Sequence, residues 1–129
     1  MLSLASWCAL HKILFVMRPG QLTTNELERA ILDRMARSVP SLAEVIPRLH
    51  VLSREYTGVG SYTNFKVEGP VLGNASPVQF DEVINTPSVP HGLLALLFLE
   101  AGQVKCLEIA ACGDLWDGVF EGFTIGTAA

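Results

Sequence analysis

Glu108 is the residue whose setting most invites chemistry. It stands in an apolar run from Gln103 to Cys112. If that run is a strand, alternation places Glu108 on one face with Val104, Cys106 and Ala110. A carboxylate withdrawn from water is costly unless paired, and burial raises its pKa. Groups of that kind concentrate at functional sites. The plainer arrangement is a solvated face or an arginine partner. His91 flanks the neighbouring apolar run, between Pro90 and Gly92. An imidazole near a thiol and an acid could activate a nucleophile, with Cys106 and Glu108 on the partner strand. No G-x-S-x-G, H-E-x-x-H or C-x-x-C motif supports catalysis, so no catalytic residue is assigned. Asp114, Asp117 and Glu121 form an acidic cluster of the kind that can hold Ca²⁺ or Mg²⁺. Their spacing is not that of an EF-hand loop, and neither metal nor cofactor is expected. Trp116, inside that cluster, and Trp7 read as core or partner anchors. The ligand or interface candidates are therefore Glu108, His91, Trp116, Asp114 and Asp117.

The elements that must position them follow from periodicity. Residues 23–37 predict a helix: Thr23 and Glu26 have capping-box spacing, and Leu27, Ala30, Ile31 and Met35 share one face. Its other face is laced with charge, as a solvated helix would be. Ser41 and Glu44 repeat the capping spacing for a short helix from Leu42, stopped by Pro47. The period then changes to two. His50 to Tyr56 and Tyr62 to Val67 predict strands joined by a turn at Gly58-Val59-Gly60. That turn opens like a nucleotide loop, but Thr63 stands where the third glycine belongs, and a strand follows instead of a helix. Residues 68–80 read as a loop, 80–85 as a short strand or helical turn, and Pro87 and Pro90 bound another loop. Leu93 to Glu100 and Gln103 to Cys112, joined at Ala101-Gly102, form the strongest expected hairpin. Residues 113–129 are a tail without assignable structure. Helices followed by strands predict an α+β architecture, with N-terminal helices packed on one face of a mainly antiparallel sheet.

With 129 residues the chain is expected to form a single domain. Half of its residues are hydrophobic and 17% are charged, a balance that folds rather than stays disordered. The longest apolar run, Leu93 to Leu99, is far short of the roughly 20 residues a bilayer requires, so no membrane association is expected. Residues 1–67 carry eight Lys and Arg against five Asp and Glu; residues 68–129 carry one against eight. So acidic a second half argues against nucleic acid as a partner. Either the two halves neutralise each other or the second offers an acidic docking face. Cys8, Cys106 and Cys112 are odd in number and do not form a disulfide scaffold, which predicts three reduced thiols and a cytoplasmic setting. Residues 1–20 form an apolar extension. Lys12 lies inside its apolar run and not ahead of it, unlike a signal peptide. Two readings stay open: an extra element packed on the core, or upstream sequence with Met17 as the natural start.

The stretch from Leu107 to Trp116 (L-E-I-A-A-C-G-D-L-W) resembles a strand signature of a family of small uncharacterised bacterial α+β proteins. Thr57 to Tyr62 resembles that family's glycine-containing strand pair, and the helix from Thr23 its opening helix, so the resemblance spans about residues 23 to 117. It implies the fold and a partner-binding or toxin-neutralising role, and it transfers no catalytic residues.

Two functions remain in view. The first is a non-enzymatic interaction domain that binds a protein partner, with self-association as a homodimer, through an acidic sheet-and-tail surface. The alternative is a small enzyme or ligand-binding domain with a pocket near Glu108 and His91. The two differ on whether those side chains converge on one cleft.

Overall fold

The computed structural model describes residues 23–73 and 75–126. The expectations for the N-terminal extension, Trp7 and Cys8 lie outside the described residues.

The first helix, α1 (Glu26–Met35), is capped two residues later than the spacing of Thr23 and Glu26 suggested. Asn25 Oδ1 accepts from the Glu28 amide at 2.8 Å, and Glu28 Oε1 accepts from the Asn25 amide at 2.8 Å. The segment T-T-N-E-L-E satisfies the capping pattern in both frames. The later frame is adopted because it lets Glu28 cap the helix while pointing inward. Leu27, Ile31, Leu32 and Met35 are buried along the same side. The second helix, α2 (Leu42–Val45), starts where expected but lacks the Ser41 cap. Ser41 itself has helical backbone angles, and a capping hydroxyl needs an extended residue. Pro47 does not end the structure. It sits at the start of a 3-10 turn (Ile46–Arg48), where a missing amide costs nothing.

Seven strands follow: β1 (Val51–Tyr56), β2 (Gly60–Phe65), β3 (Val78–Gln79), β4 (Val83–Thr86), β5 (Val89–Glu100), β6 (Gln103–Ala111) and β7 (Thr124–Gly126). They form one antiparallel sheet in the order β1-β2-β6-β5-β4-β7, with β3 also paired to β5. The fold is therefore sheet-dominated, and the two helices are short. Two segments expected as irregular contain strands: β3 lies inside the 68–80 loop, and β7 lies in the unassigned tail. The β5–β6 hairpin is the one expected, closed by Ala101 (φ 51°) and Gly102 (φ 82°). Left-handed angles at both turn residues match the strands' twist, which is why a two-residue turn suffices.

The main core joins Leu27, Ile31, Leu32 and Met35 of α1 and Leu42 of α2 with sheet residues such as Phe65, Ile84, Leu93, Leu97, Leu107 and Ile109. A second, smaller cluster holds Tyr62, Phe98 and Cys106, with Leu96 against it. The simple alternation expected along residues 104–110 fails at one bulge. Phe98 pairs with Cys106 and Leu99 with Val104, leaving Lys105 as the extra residue. Val104 consequently packs in the main core and Cys106 in the second cluster. Cys106 is disulfide-bonded while Cys112 is free, which corrects the expectation of three reduced thiols. No helix among the described residues is long and apolar enough to cross a membrane.

Candidate functional site

His91 and Asp114 are brought together. His91 Nδ1 lies 3.0 Å from Asp114 Oδ2, and the His91 amide donates to the same oxygen at 3.3 Å. The cause is a bulge. Ile84 pairs with Leu93 and Thr86 with Val89, so the single residue between them on β4 faces three on β5, and Pro90 and His91 are pushed outward. Gly92 makes this feasible. Its φ is +79°, and a Cβ there would stand 2.9 Å from the Ile84 carbonyl oxygen. His91 is thereby turned into solvent.

Glu108 belongs elsewhere. It lies opposite Tyr62 on one side and Leu96 on the other. His91 is five residues before Leu96 on β5, on the order of 15 Å along the strand. Glu108 and His91 therefore do not converge. Cys106, opposite Phe98, lies further still from His91 and is engaged in its disulfide. Asp117 is used locally, its Oδ1 accepting from the Val119 amide at 3.1 Å. Among the described residues, no three His, Cys, Asp or Glu side chains gather at metal-holding spacing.

Around Glu108 the sheet carries a polar row, Glu55–Tyr62–Glu108, across β1, β2 and β6. The Tyr62 hydroxyl and the Glu108 carboxylate interact across β2 and β6. Burial, the bond to Glu108 and the nearby negative charges push the Tyr62 phenol far above its usual range. Burial also raises the Glu108 pKa, and the Tyr62 hydrogen bond only partly opposes this. The sign of the linkage follows. A carboxylate whose folded pKa is raised binds its proton more readily when folded, so its contribution improves as pH falls through that pKa. Wild type should therefore gain stability relative to Glu108→Gln between neutrality and about pH 4, the ordinary carboxylate range. Paired urea titrations at pH 7, 5.5 and 4.5 check this, and a constant difference would mean that Glu108 is fully solvated.

Trp116 organises a different region. It is only 3% exposed. Its amide donates to the Gly58 carbonyl at 2.8 Å, its indole Nε1 donates to the Val119 carbonyl at 2.8 Å, and its ring meets Tyr56 edge-on at 6.5 Å. These contacts tie the tail to the β1–β2 hairpin. Around this anchor four large apolar side chains face water: Leu115 (81% exposed), Val59 (51%), Val119 (49%) and Tyr56 (44%). Leu115, Trp116, Gly58 and Asp117 line a common hollow. Beside Val119 a cleft of about 810 Å³ opens between the start of α1 and the tail, lined by Thr24, Glu26, Phe120, Glu121 and Phe123 among others.

Two groups of residues escaped the sequence reasoning. The exposed apolar ring was signalled only faintly, by a valine at a hairpin tip and by Leu115 between acids. The other group is Glu28, 1% exposed, with Arg54 and Thr63. Arg54 clamps the Glu28 carboxylate through Nε and Nη2, both at 2.7 Å, and the Thr63 hydroxyl donates to the same group. Burial disfavours the Arg54 charge, but its bond and attraction to Glu28 outweigh that and hold its pKa above the ordinary value. Arg34 similarly reaches Glu82 at 2.6 Å and the Ile125 carbonyl at 3.2 Å, fastening β7 to α1. Compared with known proteins, the chain matches no family model, no curated protein and no solved structure.

Proposed function

We propose that this protein is a non-enzymatic protein-interaction module whose contact surface is the ring of apolar side chains around Trp116. The observation that carries the reading is the exposure of Leu115, Val59, Val119 and Tyr56 around one buried tryptophan. Clustered exposed apolar groups on a rigid anchor are what interfaces are made from, whereas scattered ones need no explanation. Asp114, Asp117 and Glu121 belong to the same tail segment. Their charge selects the occupant: a partner protein presenting an aliphatic or aromatic anchor flanked by Lys or Arg. We also place the helices on one face of the sheet, leaving the tail surface uncovered. The grip of Arg54 and Thr63 on Glu28 supports this for α1.

Selection of displayed random peptides against the folded chain tests the reading. Enriched peptides should pair an apolar anchor with basic residues. Leu115→Ser should weaken the best of them at least tenfold, the size of an ordinary hot spot. Because Leu115 is so exposed, the same change should alter stability by no more than about 0.5 kcal/mol. Binding that survives Leu115→Ser, or a homodimer that buries this patch at micromolar concentration, would overturn a separate protein as the occupant.

A further inference from the structure

The cleft beside Val119 has a chemistry of its own. Phe120 and Phe123 face each other edge-on, centroids 6.0 Å apart, and both line the cleft. Glu26 and Glu121 line it too, and among the described residues no Lys, Arg or His does. A helix start ordinarily invites an anion through its free amides and positive dipole end. Here that invitation is cancelled. Asn25 already occupies the Glu28 amide, and Glu26 places a carboxylate on the first turn. Glu121 adds a second negative charge from the opposite wall. Aromatic ring faces are themselves electron-rich and attract cations. Carboxylates beside paired rings, in a hollow of ligand-binding size, suit an organic cation and repel a phosphate or carboxylate.

We propose that this cleft receives the guanidinium or ammonium group of an arginine or lysine side chain from the partner protein. The inference deepens the reading above and rests on it for the source of the cation; the cleft's selectivity for cations does not depend on the Trp116 patch. Val119 borders both surfaces, so a partner that seats an apolar anchor near Leu115 has its basic neighbour within reach of the cleft.

The test is an amide-shift titration of the full chain with N-acetyl-arginine amide and with N-acetyl-citrulline amide, its uncharged isostere. Arginine amide should move the amides of Glu26 and Gly118 to Phe123 saturably, and citrulline amide should bind at least tenfold more weakly. Glu121→Gln should weaken the arginine titration about fivefold, as should raising the salt to screen a surface charge. Leu115→Ser should leave it unchanged, which separates a failure here from a failure of the Trp116 surface. Equal response to citrulline, shifts confined to other residues, no response at all, or indifference to Glu121→Gln would each overturn the assignment.

Discussion

Replacing Arg54 with methionine should cost about 3–5 kcal/mol, the usual consequence of stranding a buried charge. Glu28 is almost wholly withdrawn from water and is held by three groups besides its own helix: both Arg54 donors and the Thr63 hydroxyl. Removing the guanidinium leaves a carboxylate with a hydroxyl and one amide, which cannot replace the lost hydration. A folded chain of this size has about 5–15 kcal/mol of stability in total, so the variant should be close to unfolding in mild urea. The reverse change, Glu28→Met, should cost less, because the longer Arg54 side chain is partly exposed and can extend to solvent. The double variant Glu28→Met, Arg54→Met should recover much of the loss, since apolar replacements of a buried pair are often tolerated. Urea midpoints at constant slope measure all three. A cost below about 1 kcal/mol for Arg54→Met would mean that Glu28 reaches water and that the clamp contributes little.

Trp116→Ala should be comparably severe, at about 3–5 kcal/mol. The change empties a buried site, removes the ring contact with Tyr56 and frees the Val119 carbonyl. At roughly 3–5 °C per kcal/mol for a chain of this length, the melting temperature should fall by roughly 10–20 °C. Trp116→Phe keeps most of the packing and loses mainly the indole hydrogen bond, about 1 kcal/mol. The functional effect should exceed the thermal one. With the anchor gone, both the apolar ring and the neighbouring cleft lose the contact that holds residues 115–123 against the hairpin. Peptide binding should vanish even where the chain remains folded. If Trp116→Ala melts within about 3 °C of wild type, the tail is held by something other than its tryptophan.

What was legible in the sequence was whatever local pattern determines. The β5–β6 hairpin was readable because a long apolar run, a two-residue turn and a second run leave little alternative. The switch from helical to alternating periodicity near residue 50 likewise marked where the sheet begins. What failed depended on distant partners. The capping frame of α1 is chosen by Glu28 reaching Arg54 and Thr63, residues 26 and 35 positions away. The tail carries no local pattern because β7 is only three residues long and its order comes from pairing with β4 and from Trp116 on Gly58. Of the candidate residues, His91 and Asp114 meet because a bulge turns His91 outward, and bulges leave no clear mark in periodicity. Trp116 and Asp117 are close in sequence, but the groups that meet the tryptophan, Tyr56 and Gly58, come from a strand pair far earlier in the chain, which no local pattern signals.

The strand order leaves β1 at one margin of the sheet, with no further strand paired to it among the described residues. Such a margin is a template on which another chain can build, and proteins that stay dispersed usually blunt it. Here the blunting is built from features already serving the fold. The register slips between Val51 and Ser53, which breaks the even row of backbone donors an incoming strand would need. Arg54 is committed to Glu28, and an ion pair on the marginal strand does not suit the neutral, interdigitated stacking of amyloid-like sheets. The residue that clamps the helix thus also stands on the sheet's margin, so Arg54→Met should raise aggregation as well as lower conformational stability.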